Sequence, residues 1–488
     1  MIEAQIVYSK LQAVCRQMGE ALQRISRSPL VSQDRAFATA IFTNELKLAI
    51  QHQYEPEHLY AMKDSVDHLF DYFSFDISDG DILLVADPYN GGTKGQTLTM
   101  VAPLFYHGEL VLFPAVRVQI ADLAGEFPGG FNPDAFEIWQ ESMRITPVKL
   151  YKQGLLQQDI LRFLLANSRV KSLYQSELDA MYACLRYAQK ELQRLIKQYG
   201  QRLIESVYTM TNYSNRRIVE HISQYPKKTM DSKITFASNG ENITIYVSIN
   251  TSTNQVAIDF NGTGMQVNTP VNASLSTTKA FATWPILAPL ADEIAINEGV
   301  LEAFEIHVPK GSLLNPDFPA SVGFSTFITG HFISGVITKA LQQGNTSTKL
   351  YSKIHGPGPQ AILFSPFGML KETVPLFLVP GYPESSEGWG PSALFGDREL
   401  VSAEELEFNY GFKMVKREKK ANQMIVEIIN ENFVFNVITI IPEVENNTYG
   451  NITIQTNENR KTFHKSSTGI SIRPGNRLEF VYERTGGQ

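Results

Sequence analysis

Apolar residues recur at spacings of three and four from Val7 through Leu11, Val14, Met18 and Leu22 to Ile25. This predicts an opening helix with one buried face, ended by Ser28 and Pro29. A second helical pattern covers residues 58–72 and leads through the turn Ser78-Asp79-Gly80-Asp81 to a short apolar run from Ile82 to Val85, of strand length. Residues 98–105 and 110–118 flank the cluster Tyr106-His107-Gly108-Glu109, which predicts a β-hairpin. The longest helical signal runs over residues 157–199 and predicts two helices broken near Asn167 and Ser168. Met181, Leu185, Leu192 and Ile196 form its inner face, with Arg186, Lys190, Glu191, Arg194 and Lys197 largely outside it.

The pattern changes at Tyr225-Pro226-Lys227-Lys228. From residue 234 to 308 the chain is rich in β-branched residues and alternates at Ile243, Ile245, Val247 and Ile249, the period of a half-buried strand. Residues 324–341 predict a buried, glycine-containing helix, residues 356–396 predict long loops around short strands, and alternation returns over 424–482. The expected fold is therefore mixed α and β and multi-domain. An N-terminal α/β region (1–225) is followed by a β-rich domain (226–316) and a helix-plus-β C-terminal region (317–488).

A chain of 488 residues with ordinary apolar content buries a large core. A net charge of −7 leaves no broad basic surface, which argues against a nucleic-acid partner. No stretch reaches the roughly 18 unbroken apolar residues of a membrane span. Residues 1–27 lack the charged start, apolar core and cleavage site of a secretory signal, so the expected location is the cytoplasm. Cys15 and Cys184 each fall within a helical pattern and read as small buried hydrophobes.

Candidate chemistry gathers between residues 57 and 144. Asp87-Pro88-Tyr89-Asn90-Gly91-Gly92-Thr93 follows a strand. Such a turn either exposes backbone amides toward a ligand, or is a tight structural turn in which Asp87 caps neighbouring amides. The spacing of a phosphate-binding loop is absent, so no intrinsic nucleotide site is expected. His58 is either a ligand or general base, or a packing residue. Glu137 and Glu141, four apart, share a face if that stretch is helical. Arg117 and Arg144 either bind a substrate carboxylate or pair with these glutamates. His107 and His331 read as structural.

The run Gly80-Asp81-Ile82-Leu83-Leu84-Val85-Ala86-Asp87-Pro88-Tyr89-Asn90-Gly91-Gly92-Thr93 resembles the signature of the hydantoinase B family. Collinear segments extend the resemblance over nearly the whole chain, among them Glu57-His58-Leu59, Asp134-Ala135-Phe136-Glu137, Leu165-Ala166-Asn167-Ser168-Arg169, Asp259-Phe260-Asn261-Gly262-Thr263 and Asn297-Glu298-Gly299. The resemblance implies a B-type subunit in a hetero-oligomer with a hydantoinase A-type subunit. That partner, not this chain, binds ATP and phosphorylates a lactam or ketone, and the B-type subunit completes hydrolysis or carboxylation. It also implies a divalent metal, zinc or manganese.

The chain departs from the family pattern where that metal is expected. Lys94-Gly95-Gln96-Thr97 stands in place of His-Leu-Pro-Asp, and Gln119-Ile120-Ala121-Asp122 in place of His-His-Ala-Asp. Of these positions only Asp122 keeps a ligand, with His58 as the other candidate, and a lone carboxylate does not hold a transition metal. The expected catalytic set is Asp122, His58, Glu137 and Glu141, with Asp87, Arg117 and Arg144 toward substrate. The alternative is a non-catalytic subunit beside a second B-type chain that carries the metal.

Overall fold

A computed structural model describes residues 2–32, 34–224, 229–251, 255–290, 293–343, 360–364, 376–378, 403–419, 423–444, 447–448, 450–457 and 459–483. Helix α1 (Ile2–Ile25) buries Val7, Leu11, Val14, Met18 and Leu22 as its spacing predicts, while Ile25 in the last turn stays exposed. The one-turn helix α2 (Pro29–Ser32) follows. Strands β1 (Phe37–Thr43) and β2 (Leu48–Gln53) lead to a single 3-10 turn at Pro56–His58 and helix α3 (Ala61–Phe73). His58 therefore precedes the helix that the sequence pattern starts with it.

Strands β3 (Ile82–Ala86), β4 (Thr97–Val101), β5 (Leu104–Tyr106), β6 (Glu109–Gln119), β7 (Ile145–Lys152) and β8 (Leu155–Leu156) complete an eight-stranded sheet. Its order is β2-β1-β6-β4-β3-β7-β8, with β5 beside β6 and every pair antiparallel. The expected hairpin turns at His107 and Gly108, both at positive φ, the backbone that a two-residue hairpin loop requires. Strands β1, β3 and β4 are buried along their whole length because both faces of the sheet are covered.

On one face, Phe37 and Ile41 of β1 pack in a core with α1, α5 (Lys171–Tyr199) and α6 (Gln201–Ile222), after the short α4 (Gln158–Ala166). The predicted helix break falls at residues 167–170. On the other face, Ala38, Ala40 and Phe42 join a core with α3, α7 (Leu275–Leu287) and, past the one-turn α8 (Glu298–Leu301), α9 (Gly330–Gln342). Beyond these helices lies a second sheet. It contains β9 (Thr229–Ser238), β10 (Glu241–Thr251), β11 (Val256–Asp259) and β12 (Phe304–His307), and Ile243, Ile245, Val247 and Ile249 alternate inward along β10.

Helix α7 corrects the reading of residues 234–308 as strand-forming throughout. Nearly all its residues are buried, so it carries no amphipathic period to betray it, and Ser274 caps it by accepting from the Thr277 amide at 3.3 Å. Gly330 opens α9 where a Cβ would meet the Phe281 ring at 2.7 Å, so only glycine lets α7 and α9 approach this closely. The C-terminal strands form a four-stranded and a five-stranded sheet around a third core. Most of the segment 356–396 lies outside the described residues, apart from the strands Gln360–Phe364 and Leu376–Leu378. No helix among the described residues is long and apolar enough to cross a membrane.

Candidate functional site

The antiparallel pairing brings the end of β2, the start of β4 and the end of β6 to one end of the central sheet. Thr97 and Gln119 are register partners there. Pro56–His58 follows β2, and the loop 87–96 enters β4. Gly91 and Gly92 let that loop close up: a Cβ on Gly91 would lie 2.2 Å from the Ser65 amide nitrogen, and one on Gly92 2.5 Å from the Asp87 carbonyl oxygen. The result is a fixed loop that delivers Lys94 into the interior.

Lys94 is buried, and its ammonium donates to Glu57 Oε2 at 2.9 Å and Thr326 Oγ1 at 3.1 Å while standing 4.8 Å from the centre of the Phe327 ring. It lines a cavity with the acidic Asp34, Glu55 and Glu57, the polar Gln119, His331 and Gln360, and apolar walls that include Leu30, Phe281 and Phe327. Ligand atoms of Glu55, Glu57 and His58 lie within 4.8 Å of one another. Several buried polar atoms here have no hydrogen-bond partner among the described residues: Glu57 Oε1, both ring nitrogens of His58, Gln119 Nε2 and Gln360 Oε1. Orphaned buried polar atoms are rare in folded proteins, and their clustering at a cavity marks a place where a ligand or water completes the set.

Burial alone would raise the Glu57 carboxyl, but the Lys94 ammonium beside it, helped by His58 and Arg117, holds it well below the usual carboxylate range. Burial pushes the His58 imidazole down to about 3; Glu57 opposes this, and Arg117 and Lys94 reinforce it. His58 is therefore a neutral ring near pH 7, able to accept a hydrogen bond at one nitrogen and donate from the other.

A hydantoinase B/oxoprolinase family model matches residues 1–361, about three quarters of the chain. The chain belongs to the hydantoinase B/oxoprolinase family. The caprolactamase subunit beta of Pseudomonas jessenii is 31% identical over 195 residues, covering 40% of this chain and 34% of that one. The crystal structure of the ATP-dependent caprolactamase from the same organism superposes with a TM-score of 0.87 at 19% identity, covering 99% of this chain and 90% of that one. A nucleotide-free acetone carboxylase superposes at 0.81 with 12% identity, covering 98% of this chain and 75% of that one. At these identities the two structures show the shared fold. The chain spans at most 61% of the length of the first curated relatives it matches.

Against the hydantoinase B pattern, the structure separates the expected site residues into two groups. Asp122 is a latch: Oδ1 accepts from the Gly129 amide at 3.0 Å and Arg169 Nη1 at 2.7 Å, and Oδ2 from the Arg169 amide at 2.7 Å. The expected convergence of Asp122 with His58 is replaced by this local network, as Asp122 is absent from the buried Glu55, Glu57, His58 cluster. Asp87 takes the capping role, accepting from the Tyr89 amide at 3.0 Å, Asn90 Nδ2 at 2.6 Å and Arg144 Nε at 2.7 Å. Arg144 thus pairs with Asp87 rather than with a glutamate, and lies over the Phe318 ring.

Glu137 and Glu141 do not share a helix face, because residues 138–140 form only a 3-10 turn. Glu137 stays half-buried at its start. Glu141 is fully buried, with its oxygens accepting from the Val322 and Gly323 amides at 3.0 and 2.7 Å; burial still pushes it up to about 8 against those amides. Arg117 pairs with no glutamate among the described residues. It is buried among the hydroxyls of Ser65, Thr93, Thr97 and Thr99, and burial lowers it to about 10.

Glu57, Lys94 and Gln119 are the functional candidates that sequence reasoning left out of the site. The available signal was their place: Glu57 adjoins His58, and Lys94 and Gln119 stand where the family pattern has histidines. These replacements do not fit a divalent metal at the family position. An ammonium is no ligand, and the Thr97 hydroxyl donates to the Lys94 carbonyl at 2.8 Å while accepting from Arg117 at 2.8 Å.

Proposed function

We propose that this chain is the B-type subunit of an ATP-dependent complex that hydrolyses a cyclic amide or carboxylates a ketone, with the cavity lined by Glu57, Lys94 and Gln119, next to the buried His58, as its reaction site. A hydantoinase A-type subunit binds ATP and activates the substrate. The observation that carries this reading is the set of buried atoms on Glu57 and Gln119 without a partner among the described residues, beside a fixed ammonium in a cavity with apolar walls, with two more on the adjacent His58. A small carbonyl compound matches that inventory. Its oxygen accepts from Lys94 and the Gln119 amide, donors of the kind that stabilise a developing oxyanion. An N–H or a water donates to Glu57 or to neutral His58, which hold it in place by accepting hydrogen bonds.

Family membership and the caprolactamase and acetone carboxylase folds support this reading. The test is to co-express the chain with an A-type subunit from the same genome and measure ADP release over a panel of lactams, hydantoins and acetone with bicarbonate. Substrate-dependent ADP release that is lost with Lys94→Met supports it; ADP release indifferent to Lys94, Glu57 and His58 removes it. A second reading, a non-catalytic subunit beside a metal-bearing B-type chain, draws on the local engagement of Asp87, Asp122, Glu141 and Arg144. It expects turnover only when that second chain is added.

A further inference from the structure

Of the replacements where the family pattern has His-Leu-Pro-Asp and His-His-Ala-Asp, Lys94, Thr97 and Gln119 come together in space, while Ile120 packs in the apolar core. Thr97 and Gln119 are opposite one another in β4 and β6, Thr97 holds the Lys94 carbonyl, and Lys94 and Gln119 line one cavity. The substitutions act as one change at one place. We infer that the Lys94 ammonium supplies, as a charge fixed to the chain, the positive charge that a divalent metal would supply, so that this reaction site is metal-free. The inference rests on the proposal that the cavity is the reaction site.

The ammonium has three donors; among the described residues Glu57 and Thr326 accept from two of them, and Lys94 lines the cavity. Its position is set on three sides by the Glu57 carboxylate, the Thr326 hydroxyl and the Phe327 ring. Such preorganised charge in a buried site stabilises negative charge developing on a carbonyl oxygen without reorganisation. Among the described residues, the remaining metal candidates are Glu55, Glu57 and His58. Glu57 is already neutralised by Lys94 in a buried ion pair, and Arg117 adds a second positive charge close enough to act on both Glu57 and His58. A divalent cation there would be buried against two cations and share its central carboxylate with one of them, which low-dielectric surroundings strongly oppose.

The test uses the full chain, purified, treated with a chelator and freed of it. Zinc, manganese and iron are then quantified by mass spectrometry, and Zn²⁺ and Mn²⁺ are titrated by calorimetry. The expected result is a metal content far below one per chain and no saturable binding. Lys94→His combined with Thr97→Asp and Gln119→His, checked for folding by circular dichroism, is expected to gain about one firmly held ion per chain. Close to one ion in the wild type, released by Glu57→Gln, would overturn the inference and place a relocated metal at Glu55, Glu57 and His58. A folded triple variant that remains metal-free would overturn the role given to Lys94. If the triple variant does not fold, the wild-type metal content decides. Failure of the functional proposal reads out separately, as absent substrate-dependent ADP release with metal content unchanged.

Discussion

Asp122 and Glu57 are both buried carboxylates near the working end of the central sheet, and their surroundings differ in kind. Both Asp122 oxygens are engaged, by two backbone amides and the Arg169 guanidinium, and Asp87 is likewise filled by Tyr89, Asn90 and Arg144. Glu57 has one oxygen on Lys94 and one unpartnered, next to a histidine with two unpartnered nitrogens. A filled set of hydrogen bonds fixes loops. An incomplete one retains binding capacity at some cost in stability. The two regions should therefore respond to substitution in opposite ways.

The largest effect on stability is expected from Lys94→Met, which strands the Glu57 carboxylate in the interior and should cost about 3–5 kcal/mol in urea unfolding. Adding Glu57→Gln should recover much of that loss; a neutral single variant would mean that Glu57 finds water there. Asp122→Ala should cost roughly 2–3 kcal/mol, less because Arg169 is partly exposed. Turnover per folded molecule should stay within about threefold of wild type, since the latch only positions loops. His58→Leu should change stability by no more than about 1 kcal/mol, because it removes a ring with no hydrogen bonds to lose. It should nonetheless reduce turnover by about 100-fold or more, as loss of a group that positions a reactant does.

A further expected effect is in the pH dependence of stability. The folded His58 value of about 3 lies below the unfolded value of 6.5, so the unfolded chain takes up this proton first as the pH falls. Its contribution is fully present above pH 6.5 and is lost progressively toward pH 3. Between about pH 6.5 and 4.5, above the range in which Glu57 titrates in the unfolded chain, His58→Leu should show a flatter decline in urea midpoint than wild type. Equal slopes would place His58 in contact with water.

The same contrast explains what could be read in the sequence. Elements with one wet face were legible position by position, as in α1 and β10, because burial there imposes a period. Helix α7 was not, because burial on all sides erases the period. The turn role of Asp87 was one of two readings its local sequence offered, and local hydrogen bonds decided it. The cavity was not legible, because its ion pair joins residues far apart in sequence and its meaning depends on pairing β4 with β6. Lys94 registered only as a missing histidine until the fold gave it Glu57 as a partner. Glu137 and Glu141 misled for a related reason: four-residue spacing places two side chains together only on a helix, and Gly125 and Gly130 bring loops against a chain that makes one 3-10 turn.

The most direct experiment compares His58→Leu with Asp122→Asn in the reconstituted complex, with kcat normalised to the folded fraction of each variant. The expected result is a loss of about 100-fold or more for His58→Leu and near-wild-type turnover for Asp122→Asn. The reverse, with Asp122→Asn inactive and His58→Leu unaffected, would move the chemistry to the latch and contradict the assignment of the cavity as the reaction site.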